Sequence, residues 1–238
     1  MYKNHTISAI INCAGISARF GSNKLTQVLT TAHHQPQTII ATTVRAFVMD
    51  EIDEIIVTVS AKYRAEYETI LLQELKLPVK LVLGGAERYL SALNGLKAAQ
   101  GDVVLIHDGV RPFIRPAKIK ELLSVLDRGA QAAILASKAV TTIKKVNPTT
   151  KVITDSLRRE ESYLAQTPQL FNRKLLLDIY QEALDKGYQI VSDDSELISQ
   201  FSSEPVYIVD GDEDNIKITY RSDLAIARAV SSAWQAEK

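Results

Sequence analysis

One cysteine, Cys13, in 238 residues leaves no room for an internal disulfide framework or a multi-cysteine metal site. An excess of charge of one sign is missing too. The chain has 28 basic and 28 acidic residues, so no overall field favours nucleic acid or an acidic membrane. Any anionic ligand must be met by locally placed cations. No apolar run approaches the length of a membrane span, and the opening MYKNHT lacks signal-peptide architecture. The expectation is a cytoplasmic protein with neither membrane nor nucleic acid as partner. Both common phosphate-loop spacings are absent, G-x-x-x-x-G-K-[ST] and G-x-G-x-x-G alike, and the second absence counts against an NAD-dependent oxidoreductase.

What is present reads as an α/β protein. Ile7–Asn12, Glu54–Ser60, Val79–Leu83 and Val103–His107 are rich in Val and Ile, as strands buried on both faces tend to be. Between them, Thr38–Val48, Lys62–Leu75 and Arg88–Ala99 carry apolar residues at three- and four-residue spacing, as amphipathic helices do. Such alternation implies one domain over 1–238 with a mainly parallel sheet and right-handed crossovers. The pattern breaks at 137–159, where two alternating stretches flank Asn147-Pro148-Thr149-Thr150. That stretch predicts a protruding hairpin with little of its own to bury, which pairing with a second copy would stabilise. Helical spacing returns at Arg173–Lys186 and Ser222–Trp234, with strand-like VYIVD and NIKIT between them.

Ligands in parallel sheets sit beyond the carboxyl ends of the strands, and three polar clusters fall there. In NCAGISARFGSNK, Gly15 and Gly21 explain a tight turn, but Arg19 and Lys24 are left over. Backbone N–H groups and two cations are the ingredients of a triphosphate site. In GGAERYLS, Gly84 and Gly85 let backbone approach a planar base, and Ser91 can add a hydrogen bond. In HDGVRP, Asp108 is placed to hold Mg²⁺ or a sugar hydroxyl, or to brace a turn with Arg111. His107 reads as a satisfied core histidine and His33-His34 as a solvated pair. Lys217, in a strand-like segment, either serves the site or keeps an edge strand soluble.

Taken in order, G-x-x-x-R-x-G…K, GG-x-ER-x-x-S-x-x-x-G-L, HD-G-x-RP, TPQ and DNIKIT resemble the 2-C-methyl-D-erythritol 4-phosphate cytidylyltransferase family over nearly the whole chain. The resemblance implies a Rossmann-like fold with a dimerising arm, and a reaction of CTP with a polyol phosphate, with Mg²⁺, in non-mevalonate isoprenoid synthesis. It further implies catalytic roles for Arg19, Lys24, Arg159 and Lys217. Ala14, Gly15, Gly84, Gly85, Ser91 and Asp108 would hold CTP. Asp108, Arg111, Thr142, Arg159, Thr167 and Lys217 would hold the acceptor, and Asp108 and Asp214 the metal. One departure stands out: the family usually has proline before the loop lysine, and this chain has Asn23, so a less rigidly presented Lys24 is expected. HDGVRP and QTPQ also suit the related ribitol-5-phosphate cytidylyltransferases, and a non-catalytic nucleotide-binding module is the alternative of another class.

Overall fold

The computed structural model describes residues 1–15, 20–32, 35–188 and 193–236. Seven strands form the central sheet: β1 (Ile7–Cys13), β4 (Glu54–Val59), β5 (Val79–Leu83), β6 (Val103–Asp108), β7 (Ala132–Lys138), β10 (Tyr163–Asn172) and β11 (Val206–Asp210). Their order is β11-β7-β10-β6-β1-β4-β5, and among them only β10 runs antiparallel to its neighbours. A short hairpin of β2 (Val28–Ala32) and β3 (Gln35–Thr38) lies apart from this sheet, as does the pair β8 (Lys144–Val146) and β9 (Ile153–Ser156). The chain lays down β1, β4 and β5 in one direction, then returns to place β6 on the other side of β1. That reversal is the topological switch point at which open α/β sheets bind ligands.

Alternation along β1 explains why both faces are covered. Ile7, Ala9, Ile11 and Cys13 join one apolar cluster, with residues of α1 (Ile39–Arg45), α2 (Arg64–Glu68), α4 (Pro116–Leu123) and α7 (Asp223–Ala236). Ile10 points the other way, into a cluster with α3 (Arg88–Ala98), α5 (Arg173–Asp185) and α6 (Asp194–Phe201). Each isoleucine or leucine side chain among them contributes roughly 1.5–3 kcal/mol on leaving water, which holds the helical layers to the sheet. Helix α3 lies especially close, because a β-carbon on Gly95 would stand 2.4 Å from Ile10 Cγ2. Only glycine permits that approach, and it lets α3 pack on β1, β4 and β5.

The structure amends several sequence expectations. The helix expected at Lys62–Leu75 is a 3-10 turn, then α2, then a π-helical stretch at Thr69–Glu74 in which Leu75 N bonds Ile70 O, five residues back. NIKIT is not a strand; Ile216 N bonds Asp214 O, two residues back, and Ile218 N bonds Val110 O. The arm is a hairpin, but Ser137 and Lys138 belong to β7 and Arg159 to a 3-10 turn, so it spans 139–158. Its turn is as read: Asn147 Oδ1 accepts from Thr149 N and Thr150 N, each at 3.0 Å.

Candidate active site

A cavity of about 580 Å³ opens at the switch point, walled by the ends of β1, β4, β5 and β6. Its lining joins residues far apart in sequence, among them Ala14, Gly15, Lys24, Gly84, Gly85, Arg88, Ser91, Asp108 and Lys217. The loop after β5 forms one wall. A β-carbon on Gly84 would meet Ala14 Cβ at 2.3 Å, and one on Gly85 would meet Leu90 Cβ at 2.3 Å. The glycines are therefore required by packing against the protein as well as by any close approach of a ligand. Ser91 Oγ accepts from Gly85 N at 3.1 Å and lies 3.3 Å from Gly85 O, so this hydroxyl fixes the loop that presents the backbone. A β-carbon at Gly15 would meet nothing within 4 Å, leaving open space beside the loop after β1.

Asp108, at the end of β6, is buried and surrounded by cations. Lys217 Nζ stands 2.8 Å from its Oδ2, Arg111 Nε 3.6 Å from the same oxygen, and Arg88 Nε 3.4 Å from Oδ1. Burial opposes ionisation, but Arg88, Lys217 and Arg111 outweigh it and hold the carboxyl well below the usual range. Arg111 is itself braced by donating to Asn215 O at 2.7 Å. Lys24, Lys217, Arg88 and Arg111 outnumber Asp108, Glu87 and the Asp194 that also pairs with Arg88, which leaves net positive charge suited to a polyanion.

Beneath Asp108 lies a relay that joins His107 and Thr167. His107 Nε2 faces Arg111 O at 3.0 Å, so this nitrogen carries the proton, and Nδ1 accepts from the Thr167 hydroxyl at 3.0 Å. Thr167 Oγ1 in turn accepts from Asp108 N at 3.0 Å. His107 is thus a core residue with both nitrogens partnered. Thr167 does not line the cavity; its hydroxyl is committed to His107 and to the backbone of Asp108.

Burial lowers the His107 pKa from 6.5 to about 4, despite its bond to Arg111 O. Below pH 6.5 the unfolded chain takes up a proton that the folded chain refuses until about pH 4, so stability falls with pH through that window. Between pH 7 and pH 5 this one group should remove about 2 kcal/mol. Urea unfolding at both pH values checks this, with His107→Gln expected to lose correspondingly less. Equal losses in the two proteins would refute the assignment.

Lys24 lines the cavity and donates to Ile218 O at 2.6 Å, linking its loop to the segment that carries Lys217. The looser presentation expected without a preceding proline is not what the structure shows. Asn23 Oδ1 accepts from the buried Tyr67 hydroxyl at 2.9 Å and from Leu25 N at 3.3 Å, while its Nδ2 donates to Glu66 at 2.6 Å. Side-chain hydrogen bonds to α2 replace the rigidity of a proline ring.

The chain that builds this cavity matches known proteins along nearly its whole length. The family model described as 2-C-methyl-D-erythritol 4-phosphate cytidylyltransferase matches residues 7–232. The chain belongs to that family. A protein of that name from Dictyoglomus thermophilum is 36% identical over 92% of this chain and 93% of its own. Another from Geobacillus kaustophilus is 33% identical over 96% and 98%. The crystal structure of 4-diphosphocytidyl-2C-methyl-D-erythritol synthase from Anaerococcus prevotii has a TM-score of 0.83 at 31% identity, covering 95% of this chain and 96% of that one.

Not every residue singled out from sequence reaches the cavity. Arg19 lies outside the described residues, as do His33 and His34. Thr142 and Arg159 are exposed on and beside the arm, and neither lines the cavity of its own chain. Asp214 is also away from it: Arg115 Nη2 stands 3.4 Å from Asp214 Oδ2, and Trp234 Nε1 donates to the same oxygen at 3.2 Å. Among the described residues no three His, Cys, Asp or Glu side chains group to hold a metal. Asp108 alone, with three cations around it, is a poor match for a protein-held Mg²⁺ site. Arg88 was not among the site residues expected from sequence. The signal available is its place at the first turn of α3, three residues after a strand-end glycine pair.

Proposed function

We propose that this protein transfers the cytidylyl group of CTP to 2-C-methyl-D-erythritol 4-phosphate and releases pyrophosphate. The observation that carries this reading is the cationic cavity at the switch point, walled on one side by side-chain-free backbone and on the other by Lys24, Arg88 and Lys217. A phosphate oxygen of the acceptor attacks the α-phosphorus of CTP. The new P–O bond forms as the bond to the β-phosphate oxygen breaks, and that electron pair leaves with pyrophosphate. The nucleophile is already an anion, so no activated side chain is needed. Two polyanions must be aligned and their charge neutralised, which is catalysis by positioning and electrostatics.

In this reading Gly84 and Gly85 present backbone to cytosine, Lys24 meets the triphosphate, and Lys217 meets the acceptor, with Asp108 between them. Mg²⁺ would arrive on the phosphate oxygens of CTP, the usual mode for an ion that keeps few protein ligands. The reading includes a two-fold dimer through the arm, supported by exposed Val140, Val146, Val152, Ile153 and Leu157. Pyrophosphate release from CTP, with methylerythritol phosphate, ribitol 5-phosphate and sugar 1-phosphates as acceptors, tests it. Release is expected with methylerythritol phosphate foremost. CTP binding without release from any acceptor would instead make the protein a nucleotide-binding module.

A further inference from the structure

Behind the cavity wall a second carboxylate is buried in apolar surroundings. Asp194, at the start of α6, has no exposed surface. Its Oδ2 stands 2.9 Å from Arg88 Nη1, and its Oδ1 accepts from the hydroxyl of Tyr180, which is fully buried on α5. Arg88 spans the wall: Nη1 faces Asp194, Nε faces Asp108, and the side chain is partly exposed to the cavity. The start of α6 is itself fixed, because Asp193 accepts from Glu196 N at 3.1 Å and from Gln169 Nε2 of β10 at 2.9 Å.

Stability alone gives little reason for this pair. Leu176, Ile179, Leu197 and Ile198 belong to the same apolar cluster as Tyr180, and apolar side chains in place of a buried ion pair are often no less stable. Among the described residues, the pair reaches the cavity through Arg88. Burial disfavours the charge on Arg88, but Asp194 and Asp108 more than restore it. We propose that Asp194 is a positioning residue for cytidylyl transfer: by fixing Arg88 on Oδ1 of Asp108, it keeps the guanidinium off Oδ2, where Lys217 and Arg111 stand. Without Asp194 the guanidinium is free to turn fully onto Asp108 and compete with Lys217, or to move out toward the phosphates. The inference rests on the cytidylyltransferase reading for its kinetic consequence, but not for the placement of Arg88.

The test uses Asp194→Asn, Arg88→Gln, the double variant and Tyr180→Phe in the full chain. Asp194→Asn is expected to lower kcat about tenfold with KM for CTP within about threefold, since the base-side backbone is held by Ser91. In the Arg88→Gln background the same substitution should add less than about twofold, because a residue acting through another has nothing left to act on. The NMR signal of the Arg88 Nε–H, identified by its loss in Arg88→Gln, should shift or broaden in Asp194→Asn. Additive losses, or an unmoved Arg88 signal, overturn the inference. If Asp194→Asn does not fold, Tyr180→Phe carries the test, since it removes one hydrogen bond and keeps the ring. A kcat about threefold lower and a displaced Arg88 signal are then expected, and no change in either overturns the inference. Should the wild type release no pyrophosphate, the proposed activity fails, and the Arg88 signal alone decides whether Asp194 positions it.

Discussion

Replacing Lys24 with alanine should lower kcat by about a hundredfold or more while KM for CTP changes by no more than about threefold. The reason lies in when its charge is needed. Lys24 Nζ donates to a neutral acceptor, Ile218 O, at 2.6 Å. A phosphate oxygen is a stronger acceptor than a carbonyl, so an arriving triphosphate can take over this ammonium. As the acceptor oxygen closes on the α-phosphorus, charge on the bridging and equatorial oxygens grows, and the interaction with Lys24 grows with it. Only interactions that strengthen on the way to the transition state raise kcat, which is why the loss should fall on turnover. The rigid anchoring of Asn23 to Tyr67 and Glu66 means that the cation is presented before substrate arrives. Steady-state measurement of pyrophosphate release decides it. An unchanged kcat would remove Lys24 from the chemistry.

The same anchoring shows where sequence reasoning stopped short. Asn23 is legible as a departure from the proline usual in the family, but its compensation comes from Tyr67 and Glu66, on α2, beyond β4. Nothing local in the sequence announces such a bond. The parallel strands were legible because burial on both faces writes itself as unbroken Val and Ile, as in VVLIH at the end of which Asp108 sits. The switch point and its polar clusters followed from that. NIKIT reads as strand-like because its alternation is local, whereas a strand needs a paired neighbour, and Ile218 has a single bond to Val110. Helix α6 could have been found: Asp193 followed by Glu196 is a capping signal, and the Asp193 side chain does accept from Glu196 N. The contact of Asp194 with Arg88 could not, because it depends on how α3 and α6 pack on one face of the sheet. Asp214 was assigned to a metal by resemblance alone. Its neighbours, Arg115 and Trp234, come from distant elements and draw it elsewhere.

Arg159 and Thr142 pose the remaining question, since both are exposed and neither reaches the cavity of its own chain. If the arm embraces a second subunit, these residues serve the partner's site, while Lys24, Asp108 and Lys217 serve their own. The hairpin β8–β9 favours this arrangement on physical grounds. Its residues are exposed throughout, and a two-stranded hairpin without a covered apolar face is marginal in water. Val146, Ile153 and Leu157 offer the apolar surface that a symmetry mate would bury. Lys24→Ala and Arg159→Ala should each be nearly inactive alone. Mixed under conditions where subunits exchange, they form a mixed dimer with one doubly damaged site and one intact site. Random assortment makes half the dimers mixed, each with one good site of two, so about a quarter of wild-type activity should return. Exchange can be verified independently with differently tagged subunits. If exchange is complete and activity stays at the level of the separate variants, the arm does not complete its partner's site.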